Sequence, residues 1–194
     1  MGEPARPGAL PLARAAELLG AYRWAERRLF ELTGAWAAGT DVPSVQLHLD
    51  AVSAEHAWHA ELFADRLPVL DGTDREALTR PAGPALGPVM EALAATEGTV
   101  GRLAGLYRVV VPRLLTTYGR HLELAAPVAD GPAIRALRLV RRDEVESLLR
   151  GESLLEGLLV APADAEAAAE AQRRLESAVV SAGVVGGLVP WPTG

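Results

Sequence analysis

Apolar residues recur three and four positions apart through five blocks of this chain, the spacing that lines one face of an α-helix. The first block runs from Leu12 to Ala38 and stops at Gly39-Thr40-Asp41-Val42-Pro43. The second opens at Ser44, a good N-cap, and ends before Pro68. Val69 to Glu97 is rich in Gly, Pro and Asp, which predicts a long connection with one short helix near Pro88 to Ala95. The third block covers Thr99 to Ala125, with Pro112 predicting a kink inside it. Asp130-Gly131-Pro132 starts the fourth, Ala133 to Val160, and Pro162 opens a fifth over Ala163 to Ser181. The tail, 184–194, reads as irregular. Four long helices with one long link between the second and third predict an all-α bundle with a single crossover. The expected layout is one domain over 1–194, its core bundle in 12–160, with the fifth helix at its end or side.

Several polar residues fall inside the apolar arcs. A residue on a helix turns by about 100° from its neighbour. On that wheel Glu26 lies among Leu12, Leu19, Tyr22, Leu29 and Phe30, whereas Glu17 and Glu31 face away. On the second helix His48, Glu55, His56 and His59 share the arc of Val45, Leu49, Val52, Leu62 and Phe63. His121 sits with Leu114 and Tyr118 on the third, and Glu144 with Leu137, Val140 and Leu148 on the fourth, Ser147 at the edge of that face. Asp143 and Glu146 point elsewhere. Each long helix thus aims an ionisable group inward. Unpaired charges in a dry core are costly, so a metal ion, shared protons, or the nearby Arg23, Arg66 and Arg141 must compensate.

Composition narrows the chemistry. A net charge of -6 disfavours a nucleic-acid partner. The absence of cysteine removes disulfides, thiolate ligands and cysteine nucleophiles. No apolar run reaches the length of a membrane span, and Met1 to Pro11 lacks the apolar stretch of a secretory signal, so a cytoplasmic location is the default expectation. Gly183 to Gly187 lacks the Lys-Ser/Thr ending of a phosphate loop, and Asp71-Gly72-Thr73-Asp74 lacks the spacing of a calcium loop. The many Ala, Arg and Gly residues, with no lysine, suggest a GC-rich bacterial genome.

The inward set resembles the ferritin-like superfamily of di-iron carboxylate proteins. Those bundles place Glu on helix 1, Glu-x-x-His on helix 2, Glu on helix 3 and Glu-x-x-His on helix 4. Tyr22-Arg-Trp-Ala-Glu26 and Ala54-Glu-His-Ala-Trp-His-Ala-Glu61 also look like small bacterial members of that group. Glu26, Glu55 and Glu144 match the carboxylates. Trp58 and Ser147 stand at the two histidine positions, and His121 at that of the third-helix Glu. The resemblance implies an atypical metal site of Glu26, Glu55, His59, His121 and Glu144, with His48, His56, Tyr118, Ser147 and Arg141 around it. Imidazole and carboxylate ligands suit Fe or Mn ahead of Zn. The implied activity is oxidase or oxygenase chemistry on a small molecule. Two other readings stay open. One is a metal-free acid–base pocket. The other is a scaffold or accessory protein in which an Arg–Glu–His network only holds the fold. An exposed apolar tail, Leu188 to Trp191, and the Ala-rich fifth helix are the surfaces offered for a homodimer or partner.

Overall fold

The computed structural model describes residues 10–69, 74–184 and 186–191. The described chain is all-helical. Helix α1 spans Leu12–Ala38 and α2 Pro43–Ala64, with α3 (Leu86–Ala94) in the link that follows. Next come α4 (Thr99–Gly105), a π-helical turn (Leu106–Val110) and α5 (Val111–Leu124), which run on as one long rod. Helix α6 is Gly131–Leu158 and α7 is Pro162–Ser181. No strand occurs among the described residues. None of the described helices is long and apolar enough to cross a membrane.

The block boundaries predicted from periodicity hold to within a few residues. The difference lies around Pro112. Proline has no N–H to donate back along the helix. The rod widens into the π-helical turn Leu106–Val110 just before it, and α5 then starts with Pro112 in its first turn, where no such donor is required.

Cross-helix pairs fix the arrangement. The Ser53 hydroxyl donates to the Phe30 carbonyl (3.0 Å), and Tyr22 meets Phe63 edge-on (5.4 Å), so α1 and α2 run antiparallel. Arg108 pairs with Glu152, and Gly119 lies against Arg141, so the rod and α6 are antiparallel too. Tyr22, Tyr107, Tyr118 and Phe63 are fully buried where these four elements meet. Helix α7 covers α4 and α3. The link after α2 crosses α1 at Gly20, where a Cβ would stand 2.1 Å from the Leu78 carbonyl oxygen. Arg23 and Arg27 tie it down through Glu76 (2.7 Å each).

Gly151 makes a comparable allowance on α6. A Cβ there would lie 2.1 Å from the Tyr107 ring, which the π-helical turn presents. Gly151→Ala is therefore expected to cost about 1–3 kcal/mol through overpacking, read as a lower urea midpoint with an unchanged slope. An unchanged midpoint would show that the ring is not wedged there.

Three expectations need correction. Leu12 and Phe30, assigned to the apolar arc, are 61% and 44% exposed. Leu12 is the first helical residue, and Phe30 lies on the outer edge of the seam with α2. The apolar tail is not free: Leu188 and Val189 are buried in the chain's own core. The Leu188 N–H donates to Thr117 Oγ1 (2.9 Å), and Arg14 donates to the Pro190 carbonyl (2.5 Å). An isolated apolar segment lowers its free energy most readily on the nearest unfilled part of its own core. Residues 1–9, 70–73, 185 and 192–194 lie outside the described residues, and with them most of the Met1–Pro11 segment, Asp71-Gly72-Thr73 and the last residues of the tail.

Candidate metal centre

Helix α2 buries Val45, Leu49, Val52, His56, His59 and Phe63, a stripe with alternating spacings of four and three. Two of its six positions are histidines, one turn apart. Glu26 of α1 and Glu144 of α6 are buried opposite them. The four side chains each offer a ligand-type atom, and those atoms lie within 4.8 Å of one another. His56 Nδ1 is 2.7 Å from Glu26 Oε2 and 3.3 Å from Glu144 Oε1. His59 Nδ1 is 3.4 Å from each of the same two oxygens.

Neighbours hold the group in place. The Tyr118 hydroxyl donates to Glu26 Oε1 at 2.5 Å, which leaves Oε2 for the histidines. Asp143 Oδ2 stands 3.5 Å from His59 Nε2, on the far side of that ring from the carboxylates. The outer side of the ring thus faces a carboxylate while Nδ1 faces the centre.

Electrostatics within the group are strong. Burial alone would lower the pKa of both histidines, but Glu144 and Glu26 outweigh it and raise His56 to about 9 and His59 to about 11. Burial would likewise raise Glu26, but the hydrogen bond from His56 and the neighbouring His59 bring it down to about 2. Burial, with Glu26 and Glu144 adding to it, keeps Tyr118 protonated and well above the usual phenol range. Two imidazolium and two carboxylate groups balance one another. Even so, hydrogen bonding is incomplete: Glu144 Oε1 and Oε2, His59 Nδ1 and His56 Nε2 are buried without a well-aligned partner. Buried polar atoms seldom go unpartnered in folded proteins.

The residues fit a cation. A tetrahedral ion with bonds of about 2.0–2.1 Å needs ligand atoms roughly 3.3–3.4 Å apart. Three of the four imidazole–carboxylate separations are 3.3–3.4 Å and the His56–Glu26 hydrogen bond is shorter, while the four atoms together span up to 4.8 Å, so the widest pair must draw in to about 4.2 Å or less around an ion. A divalent ion would also take up the orphaned Glu144 oxygens.

Of the five ligands expected from the sequence, Glu26, His59 and Glu144 come together, and His56 joins them. Glu55 and His121 lie outside the group. Glu55 is one residue, about 100°, off the α2 stripe and is half-buried on the flank toward α6. Burial raises its pKa, as do Asp143 and Glu144, against the opposing pull of His59 and His56. His121 is buried near the tail, where its Nδ1 shares a 3.2 Å hydrogen bond with the Tyr22 hydroxyl and Trp191 lies against its ring. Burial, with help from Arg14 and against Asp130, lowers His121 to about 4, so it is neutral near pH 7.

Among the residues expected around the site, Tyr118 and His56 touch it directly. His48 Nε2 is 2.6 Å from the Tyr107 hydroxyl, which lies 3.4 Å from Ser147 Oγ in a second polar chain on the α2–α6 side. Arg141 lies against Gly119, and Arg23 is held by Glu76. Among the described residues, no arginine pairs with Glu26 or Glu144, so the arginine compensation expected from the helix wheel does not occur. Asp143, set aside on the wheel, faces His59 across the α2–α6 seam. The signal for His56 was its three-residue spacing from His59, which puts both on the stripe that Val52 and Phe63 define.

No family model, curated protein or solved structure matches this chain.

Proposed function

We propose that this chain is a ferritin-like helical protein that holds one transition-metal ion between Glu26, His56, His59 and Glu144 and uses it in oxidase- or oxygenase-type chemistry on a small molecule. The observation that carries the reading is the convergence of four buried ligand-type atoms from three helices. The long link between α2 and α4 and the carboxylates on α1 and α6 support the ferritin-like resemblance. His56-x-x-His59 occupies α2 with the spacing that the family's Glu-x-x-His would have. Bound Fe or Mn would supply redox or Lewis-acid chemistry, whereas Zn would supply only the latter. The chain's own part is to orient and to exclude water. Tyr118 fixes Glu26, and Asp143 directs His59 Nδ1 inward.

Equilibrium dialysis against Mn²⁺, Zn²⁺ and anaerobic Fe²⁺, followed by elemental analysis, tests this. One ion per chain is expected, falling to background in His56→Ala and in Glu144→Ala. Failure of all three metals to bind stoichiometrically would remove the metal from the account. A second reading, a metal-free scaffold, is favoured by one observation: the two raised histidines and the lowered Glu26 already compensate one another in part without an ion.

A further inference from the structure

The α2–α6 seam continues past His59 and Asp143 into an open groove of about 670 Å³, bounded by Leu62, Arg66, Pro132, Arg135, Ala136 and Leu139. That volume is within the range of small-molecule sites. Leu62 follows His59 by three residues, and Leu139 precedes Asp143 by four, so the near end of the groove is about one helical turn, roughly 5 Å, from the site. Arg66 and Arg135 lie at the far end.

What distinguishes these two arginines is that they share one groove with apolar walls and no carboxylate. Among the described residues ten arginines pair with a carboxylate, as Arg23, Arg27, Arg28, Arg108 and Arg113 do, and eight do not. Among the described residues neither Arg66 nor Arg135 has a carboxylate within 4.0 Å, and Arg66 Nε is buried with no hydrogen-bond partner. A chain of net charge -6 has thus left two guanidinium groups uncompensated in one groove. A second groove, of about 310 Å³, shares Arg66 and Pro132 but also carries Asp65 and Asp130. An anion is repelled there and favoured between Arg66 and Arg135. The other walls of the larger groove are apolar.

We infer that this groove binds an organic monocarboxylate with an unbranched apolar chain, its carboxylate between Arg66 and Arg135 and its chain along Leu62, Ala136 and Leu139 toward His59. Planar guanidinium groups match carboxylates in a bidentate way, and the apolar walls remove the chain from water. As the substrate class of the metal centre this rests on the proposed function, and it places the chain carbons, not the carboxylate, nearest the metal ligands. Binding in the groove does not depend on a metal.

Calorimetric titration with decanoate below its micelle concentration, beside acetate and 1-decanol, tests the inference on the full chain. Decanoate is expected to bind one-to-one and at least about tenfold more tightly than either control, because only it uses both halves of the groove. Arg66→Gln, at a half-buried position, and Arg135→Gln, at an exposed one, both checked for fold by circular dichroism, are each expected to weaken decanoate about tenfold and leave 1-decanol unchanged. Decanoate binding no tighter than both controls, or indifferent to both substitutions, overturns the inference. Metal content measured on the same samples separates the two claims. A metal-loaded chain that ignores decanoate refutes the groove alone, and a chain that binds decanoate but no metal refutes the metal centre and the substrate role.

Discussion

Glu26→Ala is expected to lower the stability of the metal-free chain by about 3–5 kcal/mol and to abolish metal binding. Glu26 is wholly buried, accepts a 2.7 Å hydrogen bond from His56 and a 2.5 Å one from Tyr118, and contacts His59. Removing it takes one of the two carboxylates from both imidazolium groups, strands a phenol hydroxyl in the core and leaves a void. The hydroxyl loses its only partner and each imidazolium loses part of what offset its desolvation. Replacing Glu26, His56, His59 and Glu144 together by apolar residues of similar size is expected to cost far less than Glu26→Ala, because no charge is left behind. Urea denaturation of the two proteins checks this. A loss under about 1 kcal/mol for Glu26→Ala would mean that water reaches the group and that its charges are solvated.

The second large effect is on the dependence of stability on pH, which metal should flatten above pH 6.5. Without metal, His56 and His59 have folded-state pKa values of about 9 and 11. The ordinary value is about 6.5. Their stabilising contribution is therefore complete below pH 6.5 and is lost as pH rises through 9 and then 11. The loss between pH 6.5 and 9 is on the order of a few kcal/mol. Glu26 is depressed to about 2, so its contribution is present above its unfolded pKa of about 4.5 and lost as pH falls through 2. His121, lowered to about 4, opposes acid stability: the unfolded chain binds its proton first, so stability falls as pH drops from 6.5 toward 4. Stability of the metal-free protein should thus peak near pH 6.5. A bound metal needs neutral imidazoles, so binding must release the two histidine protons and grow stronger as pH rises. Below pH 9 the logarithm of the metal affinity should climb by about two per pH unit. Thermal melts from pH 6.5 to 9 should therefore fall without metal and stay level at fixed saturating metal, where the growing affinity offsets the lost histidine contribution. Parallel curves would show that the ion, if bound, sits elsewhere.

The helices were legible in the sequence because Pro and Gly punctuate this chain sharply. Gly39 to Pro43, Asp130 to Pro132 and Pro162 each fall at a helix boundary. The inward set was legible in part, since one wheel per helix suffices to bury Glu26, His59, His121 and Glu144. Which of them meet was not. A wheel gives a direction but no height along the bundle, so His121 shares the core with Glu26 yet lies beside Tyr22 and Trp191. Nor does it settle neighbours about 100° apart, such as Glu55 and His56, where the centre of the buried stripe decides. Asp143 points away from the centre of α6's buried face and still reaches His59, because α2 packs against that flank. The π-helical turn that aims Tyr107 left no periodic signal beyond Pro112. The fate of Leu188 and Val189 depended on space left open between other helices, which a local pattern does not contain.

The most direct test of the central claim is the position of a single ion. Crystals of the Mn²⁺- or Co²⁺-loaded protein, measured at the absorption edge of that metal, should give one anomalous peak inside the group formed by Glu26 Oε2, His56 Nδ1, His59 Nδ1 and Glu144 Oε1. A loaded crystal with its only peak at surface carboxylates, or with none, would contradict it and leave the four residues as a buried charge network.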